Sequence, residues 1–372
     1  MITDLRLINI RNYADTTFQF GPLTVIVGPN GQGKTNIIES LFFLSTGRSF
    51  RTAHDKEMIR FGQPFGRMQS GPIDITLVSG PILQKQVRIH QKPARLLNIL
   101  GVTPSVLFTP MSVALIDGSP VVRRQFIDIL LSQTDPIYAR NLLEYQRALK
   151  QRNQLLHQIV HQGESAESLS LWDDLLVSTA IPVVMTRKTM VEQMKSSLGG
   201  FYTQVSAKKH DKLEVEYVAS VEKHGEPVES ELDLATRFHE RLRERRPAEL
   251  KMARTVVGPH RDDMIFYLNQ KPVAMYGSRG EMRTVVVALK LFEFHYMKEQ
   301  SPRHSSNYQG EGGKEPTLLF DDVFSEFDAT RRKTVLDIAP EAQVIFTVTD
   351  MEYAGKLPSH AQVINLTENS KQ

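Results

Sequence analysis

Gly28, Pro29, Asn30, Gly31, Gln32, Gly33, Lys34 and Thr35 fit the spacing G-x-x-x-x-G-K-[ST], and Asn36 follows directly. Glycines let such a loop curl with its N–H groups turned inward, where they and the positive end of a following helix cradle a polyphosphate. The lysine reaches the β- and γ-phosphates. The hydroxyl after it suits Mg²⁺, an ion that keeps most of its shell for water and phosphate oxygens. Leu23 to Val27 is a short β-branched run before the loop, and Thr35 to Leu44 is helix-like after it, which is the strand and helix context this chemistry needs. Binding of a nucleoside triphosphate with Mg²⁺ is expected.

Two further groups could act on that ligand. Leu318-Leu319-Phe320-Asp321-Asp322 is an apolar strand that ends in two carboxylates, and ligands collect at the carboxyl edge of parallel strands. Asp321 is expected to help hold Mg²⁺ through water, and Asp322 to orient or deprotonate an attacking water. A simple turn or helix cap would use the same residue types. Ser278, Arg279, Gly280 and Glu281 open an apolar helix-like stretch from Thr284 to Phe292. They fit an anion-binding helix start and equally a capping box between Ser278 and Glu281.

The elements that position these groups read as two textures. Ile2 to Ile10 alternates like a half-buried strand, while Leu23 to Val27, Pro316 to Phe320 and Ala342 to Val348 are apolar runs of the kind buried on both faces, the last two separated by a helix-like Ala329 to Ile338. This pattern predicts an α/β fold with a parallel sheet. Asp135 to Gly200 is helical in pattern, with Leu142, Tyr145, Leu149, Leu156 and Ile159 on one stripe that Arg152 interrupts, too briefly for a coiled coil. The expected organisation is one lobe from residues 1–110 and 300–372, with an inserted, mainly helical lobe over 111–299. Ser301 to Glu315 reads as a surface loop, and His157 with His161 as a solvated helix face without the carboxylate a zinc site would add.

Composition narrows the class. At 372 residues, 41% hydrophobic and 23% charged, the chain has enough apolar content for a substantial core, and zero cysteines exclude disulfides, iron–sulfur clusters and thiolate zinc sites. No basic, apolar leader opens the sequence, and no continuous apolar run reaches the roughly 18 residues of a membrane span. A cytoplasmic protein without a membrane partner is expected. Net charge of +3 permits nucleic acid without demanding it. Arg237 to Arg254 is locally basic, which suits phosphate contacts or a salt-bridged surface helix; Arg48, Arg51, Arg123 and Arg124 could serve nucleotide, a dimer interface or DNA. No base-reading module is visible, so any DNA contact should follow backbone and shape.

The order of phosphate loop, helical insert, Ser278-Arg279-Gly280-Glu281, Asp321-Asp322 and Ser325-Glu326-Phe327-Asp328 resembles the ABC-type ATPase heads, and within them the RecF recombination mediators. Gly47 to Thr52, Gly118 to Arg124, Leu149 to Asn153, Gly258 to Asp263 and Asp321 to Asp328 carry that resemblance over nearly the whole chain, most weakly from Gly163 to Pro227. It implies an ABC-type head without long coiled coils, in which ATP and Mg²⁺ bind at Gly28 to Asn36, with Ser278 to Glu281 and Asp328 completing the nucleotide site. It also implies an ATP-dependent homodimer that clamps double-stranded, gapped DNA, weak DNA-stimulated hydrolysis used as a switch, and partnership with RecR, RecO and RecA. Glu281 stands where such relatives carry glutamine, Phe327 where they carry leucine, and Val348-Thr349-Asp350 where transporter heads have a switch histidine. The γ-phosphate sensor and the Q-loop are therefore unassigned. A transporter-type ATPase subunit and a small-molecule kinase are the rival readings of the phosphate loop.

Overall fold

A computed structural model describes residues 1–206, 210–222, 230–300, 315–324, 327, 329–337, 341–354 and 357–366. Ser325, Glu326, Asp328 and all but Glu315 of the loop read over Ser301 to Glu315 lie outside them. The chain divides into two compact units, Met1–Ser112 with Gln204–Ala207 and Val286–Gln372, and Val113–Thr203 with Lys208–Val285. The division thus falls near residue 112, beside the expected 110, and again at 285 instead of 299. Lys298, in the stretch between these last two limits, donates to Glu341 at 2.8 Å within the first unit.

The first unit begins with a hairpin, β1 (Asp4–Ile10) and β2 (Tyr13–Gln19), then β3 (Leu23–Val27), apolar and buried over nearly its whole length, and α1 (Lys34–Thr46). β4 (Phe65–Ser70) and β5 (Ile73–Val78) bury alternate residues, the period-two pattern of a sheet with one dry face. With β6 (Gln84–Ile89) and β7 (Lys92–Ala94) they join the hairpin in an antiparallel sheet ordered β2-β1-β4-β5-β6-β7. β8 (Ser105–Phe108) is buried at every residue.

The second unit holds α2 (Ala114–Asp117), α3 (Pro120–Thr134), α4 (Pro136–Gln162), α5 (Leu169–Ser206, its last three residues counted with the first unit), β9 (Leu213–Val218), α6 (Glu231–Met252), β10 (Asp263–Leu268), β11 (Lys271–Pro272) and α7 (Val273–Tyr276). α8 (Arg279–Gln300) then carries the chain back into the first unit. There β12 (Thr317–Phe320), α9 (Ala329–Asp337), β13 (Val344–Val348) and β14 (Gln362–Asn365) follow. β14-β3-β13-β12-β8 form one all-parallel sheet, the α/β class expected. α1 touches β4 and β5 of the antiparallel sheet and β8 and β12 of the parallel one. Its Ile37, Ile38, Leu41, Phe42, Phe43 and Leu44 are all buried, because a helix covered on two sides needs apolar residues around its circumference.

The second unit is mainly helical, with a small antiparallel sheet β11-β10-β9. By length and composition α5 could cross a membrane. Its Leu176, Ala180, Val183, Arg187, Val191, Met194 and Leu198 instead form a buried stripe at helical spacing, and Arg187 donates to the Asp128 carboxylate at 2.7 Å, to the Tyr138 hydroxyl and to the Pro259 carbonyl. That is the pattern of a core helix. Arg152, which breaks the apolar stripe of α4, is fully buried and donates to Asp173, to both oxygens of Glu249 and to Thr255. His157 and His161 lie with ring centroids 4.4 Å apart, and no cluster of three or more metal-ligating side chains occurs among the described residues.

Gly258 to Asp263 is the hub of this unit. Gly258 has φ of 129°, and a Cβ there would lie 2.6 Å from the Tyr145 hydroxyl, so only glycine fits. That hydroxyl pairs with His260 Nδ1 at 2.5 Å, while His260 Nε2 faces the Thr255 carbonyl. Burial, with Arg261, Arg124 and Arg152 close by, pushes His260 down to about 4. A histidine depressed in the fold binds fewer protons than the unfolded chain, so stability should fall as pH drops from about 6.5 towards about 4, by up to about 3 kcal/mol. Urea midpoints at several pH values, compared with His260→Asn, check this; an unchanged slope in the variant refutes it.

Candidate functional site

The geometry begins with the parallel register. Phe320 pairs with Phe346, which places Asp321 beside Thr347 at the carboxyl edge of neighbouring strands. Phe108, Phe320, Phe324 and Phe346 stack beneath this edge, with centroid separations of 4.2 Å for the first two and 4.5 Å for the last two. The carboxylates therefore project from a packed, rigid floor.

Above it, Gly31 and Gly33 take φ of 86° and 99°, left-handed conformations that other residues enter at a cost of about 1–2 kcal/mol. Gly33 also has no room for a side chain, since a Cβ would meet Asn12 and the Tyr13 hydroxyl at 2.6 Å. Lys34 is buried and donates to the carbonyls of Gly28 at 2.7 Å and Pro29 at 3.2 Å, so its ammonium is held inside the curl of the loop. Thr35 Oγ1 donates to Asp321 Oδ1 at 2.9 Å. Residues 286 positions apart thus bring a hydroxyl and a carboxylate together, a hard oxygen pair suited to Mg²⁺. Burial pushes the Asp321 carboxyl up, against the hydroxyls of Thr35 and Thr347 that favour its charged form. A divalent ion would reverse that shift, so the residues present fit Mg²⁺.

Asp322 has φ of 53°, a strained backbone for a non-glycine residue. Its N–H donates to Thr347 Oγ1 at 2.9 Å, and the same hydroxyl donates to Asp321 Oδ1 at 3.1 Å. Thr347 therefore fixes both carboxylate residues, a role not anticipated from sequence. The polar side chain one residue before the end of the otherwise apolar Val344–Val348 run was the available signal.

A second unforeseen group supports the loop from β1–β2. Asn12 donates to the Gln32 carbonyl at 3.3 Å and accepts from Asn36 Nδ2 at 2.8 Å. Arg11 grips Glu39 through two bonds of 3.0 and 2.8 Å. Glu39 is fully buried and also accepts from Ser49 and from Arg51, which in turn donates to Asn36 at 2.8 Å. Of the ambiguous arginines, Arg51 thus belongs to the loop's support, and Arg123 is committed to a bidentate pair with Asp263.

In the second unit, Ser278 and Glu281 make the capping box. Ser278 Oγ accepts from Glu281 N at 3.2 Å, and Glu281 Oε2 accepts from Ser278 N at 2.9 Å and from its hydroxyl at 2.8 Å. The extra carboxylate is thereby tied to its own helix start. Ser278, Arg279 and Gly280 are exposed. Asp328 lies outside the described residues.

Residues 4–103 match a family model described as "AAA domain". DNA replication and repair protein RecF of Chloroflexus aggregans is 34% identical, over 94% of this chain and 93% of its own length. The chain belongs to the RecF family. The RecF of Lacticaseibacillus casei is 36% identical over 94% of this chain and 92% of its own. A solved structure named "Structure of the recombination mediator protein RecF-ATP in RecFOR pathway" superposes with a TM-score of 0.84 at 28% identity, covering 94% of this chain and 92% of that one. The ABC-type α/β head expected from the sequence is the fold, and membership of the RecF family displaces the transporter and kinase readings.

The basic stretch of α6 resolves into two sets within this RecF-type chain. Arg237 pairs with Asp233, Arg241 with Glu244, and Arg246 with Asp173 and Glu249. Arg243 and Arg245 are exposed and join no ion pair among the described residues. The salt-bridged helix accounts for the first set and leaves the second exposed.

Proposed function

We propose that this chain is a nucleotide-switched DNA clamp: ATP and Mg²⁺ bind at Gly28 to Asn36, two heads close face to face with nucleotide between them, and the closed dimer holds double-stranded DNA near gaps or junctions. Slow hydrolysis reopens it. The observation that carries this reading is the meeting of Lys34, Thr35, Asp321 and Asp322 at one sheet edge.

The backbone N–H groups of the loop and Lys34 bind and orient the phosphates, and Thr35 with Asp321 would hold Mg²⁺, which neutralises phosphate charge when bound. Asp322 orients the attacking water and takes its proton on a carboxylate oxygen. Ser278 and Gly280, exposed at a helix start, close over the γ-phosphate held by a second copy. ATP moves the monomer–dimer equilibrium because it binds the closed state better. Cytoplasmic residence, and work beside RecR, RecO and the RecA recombinase, are part of the same proposal, the latter supported by the likeness to a recombination mediator of the RecFOR pathway.

Light scattering on the full chain tests the scheme. With Mg²⁺ and ATP the wild type should double in mass, more readily with duplex DNA present, while Ser278→Arg should stay monomeric and still bind ATP. An arginine at that exposed helix start would block the approach of a second head and leaves every residue from Gly28 to Asn36 unchanged. ATP-dependent dimerisation surviving in Ser278→Arg removes the two-head scheme.

A further inference from the structure

The loop from Arg254 to Asp262 leaves a concentrated positive charge without the carboxylates that its own sequence supplies. Asp262 and Asp263 directly follow Arg261, and simple neutralisation would pair them with it. Asp262 instead turns inward, fully buried, where it accepts from the Tyr217 hydroxyl at 2.5 Å and the Ser220 N–H at 2.7 Å. Asp263 is taken by the bidentate grip of Arg123, at 2.7 and 3.0 Å. Arg261, exposed, reaches only the Thr255 carbonyl at 3.3 Å. Arg124, partly buried, donates to the Asp262 backbone carbonyl at 2.6 Å. Arg254, exposed, stands next to Thr255 in the chain. Among the described residues none of the three arginines joins an ion pair.

From this arrangement we infer that Arg124 and Arg261, with Arg254 beside them, form a seat for the phosphodiester backbone of DNA. The inference rests on the clamp reading above and says which surface of the second unit makes the contact. The guanidinium groups of Arg124 and Arg261 are each oriented by a backbone carbonyl and join no ion pair among the described residues, and a phosphate oxygen is the acceptor they lack. The seat is rigid, because the loop beneath it is tied by Ser220 to both the N–H and the carbonyl of Gly258, and by Arg187 to the carbonyl of Pro259. Burial lowers the basicity of Arg124 and the charge of Arg187 lowers it next; Asp263 and Asp262 raise it and Arg261 lowers it, so the neighbouring cations repel Arg124 while those two carboxylates offset part of that repulsion. An arriving polyanion relieves that repulsion and releases counterions, which is the main source of affinity for a duplex. Neutral His260 inside the loop adds no charge of its own at physiological pH.

The test is the salt dependence of binding of the full chain, with Mg²⁺ and ATP, to a labelled 30-base-pair duplex followed by anisotropy. Because both heads of the closed dimer carry the seat, in Arg124→Gln/Arg261→Gln the slope of log affinity against log salt should become shallower by about four, and in Arg261→Gln alone by about two. The single variant removes an exposed side chain whose one bond is long, so a thermal midpoint equal to wild type keeps the result interpretable if the double variant is unstable. A wild-type slope in Arg261→Gln overturns the seat and leaves the clamp standing. No duplex binding by the wild type in any nucleotide state overturns the clamp itself and the seat with it. Displacement of the duplex by polyglutamate but not by polyphosphate would assign the surface to an acidic protein and overturn the phosphate reading.

Discussion

Asp322→Asn is expected to bind ATP as the wild type does and to hydrolyse it about 10²–10⁴-fold more slowly, the range a positioned general base contributes. The substitution keeps the size of the side chain and the backbone bond to Thr347 but removes the group that takes a proton. Binding should survive because the loop and Lys34 are built on separate contacts, and because Asp321, which faces Thr35, is untouched. The strained φ of 53° favours the interpretation, since asparagine tolerates the left-handed region as well as aspartate does. Single-turnover hydrolysis beside a nucleotide-binding titration separates the two steps. Equal loss of binding and turnover would move Asp322 to ligand binding, and unchanged turnover would remove it from the chemistry. In the clamp reading the same variant accumulates as the ATP-bound dimer, so its mass by light scattering should stay doubled long after the wild type has returned to monomer.

Arg152→Leu is expected to cost about 3–5 kcal/mol of stability, the penalty for stripping one partner from a buried ion pair. Its guanidinium has no exposed surface, and Glu249, which it contacts through both oxygens, has none either. Removing the arginine leaves the Glu249 carboxylate with only the Val256 N–H at 3.2 Å and the edge of Arg246. The second consequence is local: Thr255 loses its bond from Arg152, so the chain entering the Gly258 to Asp263 loop keeps the Asn153 bond to the Thr255 N–H but loses one anchor. Chemical denaturation of the variant measures the loss, and Arg152→Leu combined with Glu249→Leu should recover much of it, because a buried ion pair replaced on both sides by apolar residues is often neutral. A loss below about 1 kcal/mol would mean that water enters and solvates Glu249, and that the cluster is not dry.

Much of the candidate site was legible because phosphate chemistry constrains contiguous residues. Gly28 to Asn36 need one local backbone path, and Leu23 to Val27 and Lys34 to Thr46 announce it with short-range patterns. The capping box of Ser278 and Glu281 was readable for the same reason, being made within one helical turn. The six-stranded antiparallel sheet was harder to see, although β4 and β5 alternate cleanly, because pairing between β1 and β4 joins segments about 60 residues apart and leaves no local mark. The three-stranded sheet in the second unit went unseen within a run that is otherwise helical.

The sequence by itself determined the class of ligand, the parallel α/β lobe, the ABC-type order of motifs and the two carboxylates at the end of an apolar strand. Only the tertiary structure decided which hydroxyls the Asp321 carboxylate meets, since Thr35 and Thr347 reach it from distant segments and not through spacing in the chain. It also decided which arginines are spent. Arg123, Arg152, Arg187 and Arg246 look no different in the sequence from Arg124, Arg243 and Arg261, yet the first group is consumed by carboxylates from distant segments. A charge declares itself locally, but its compensation is a long-range contact, and only the fold reveals which cations remain for an outside anion.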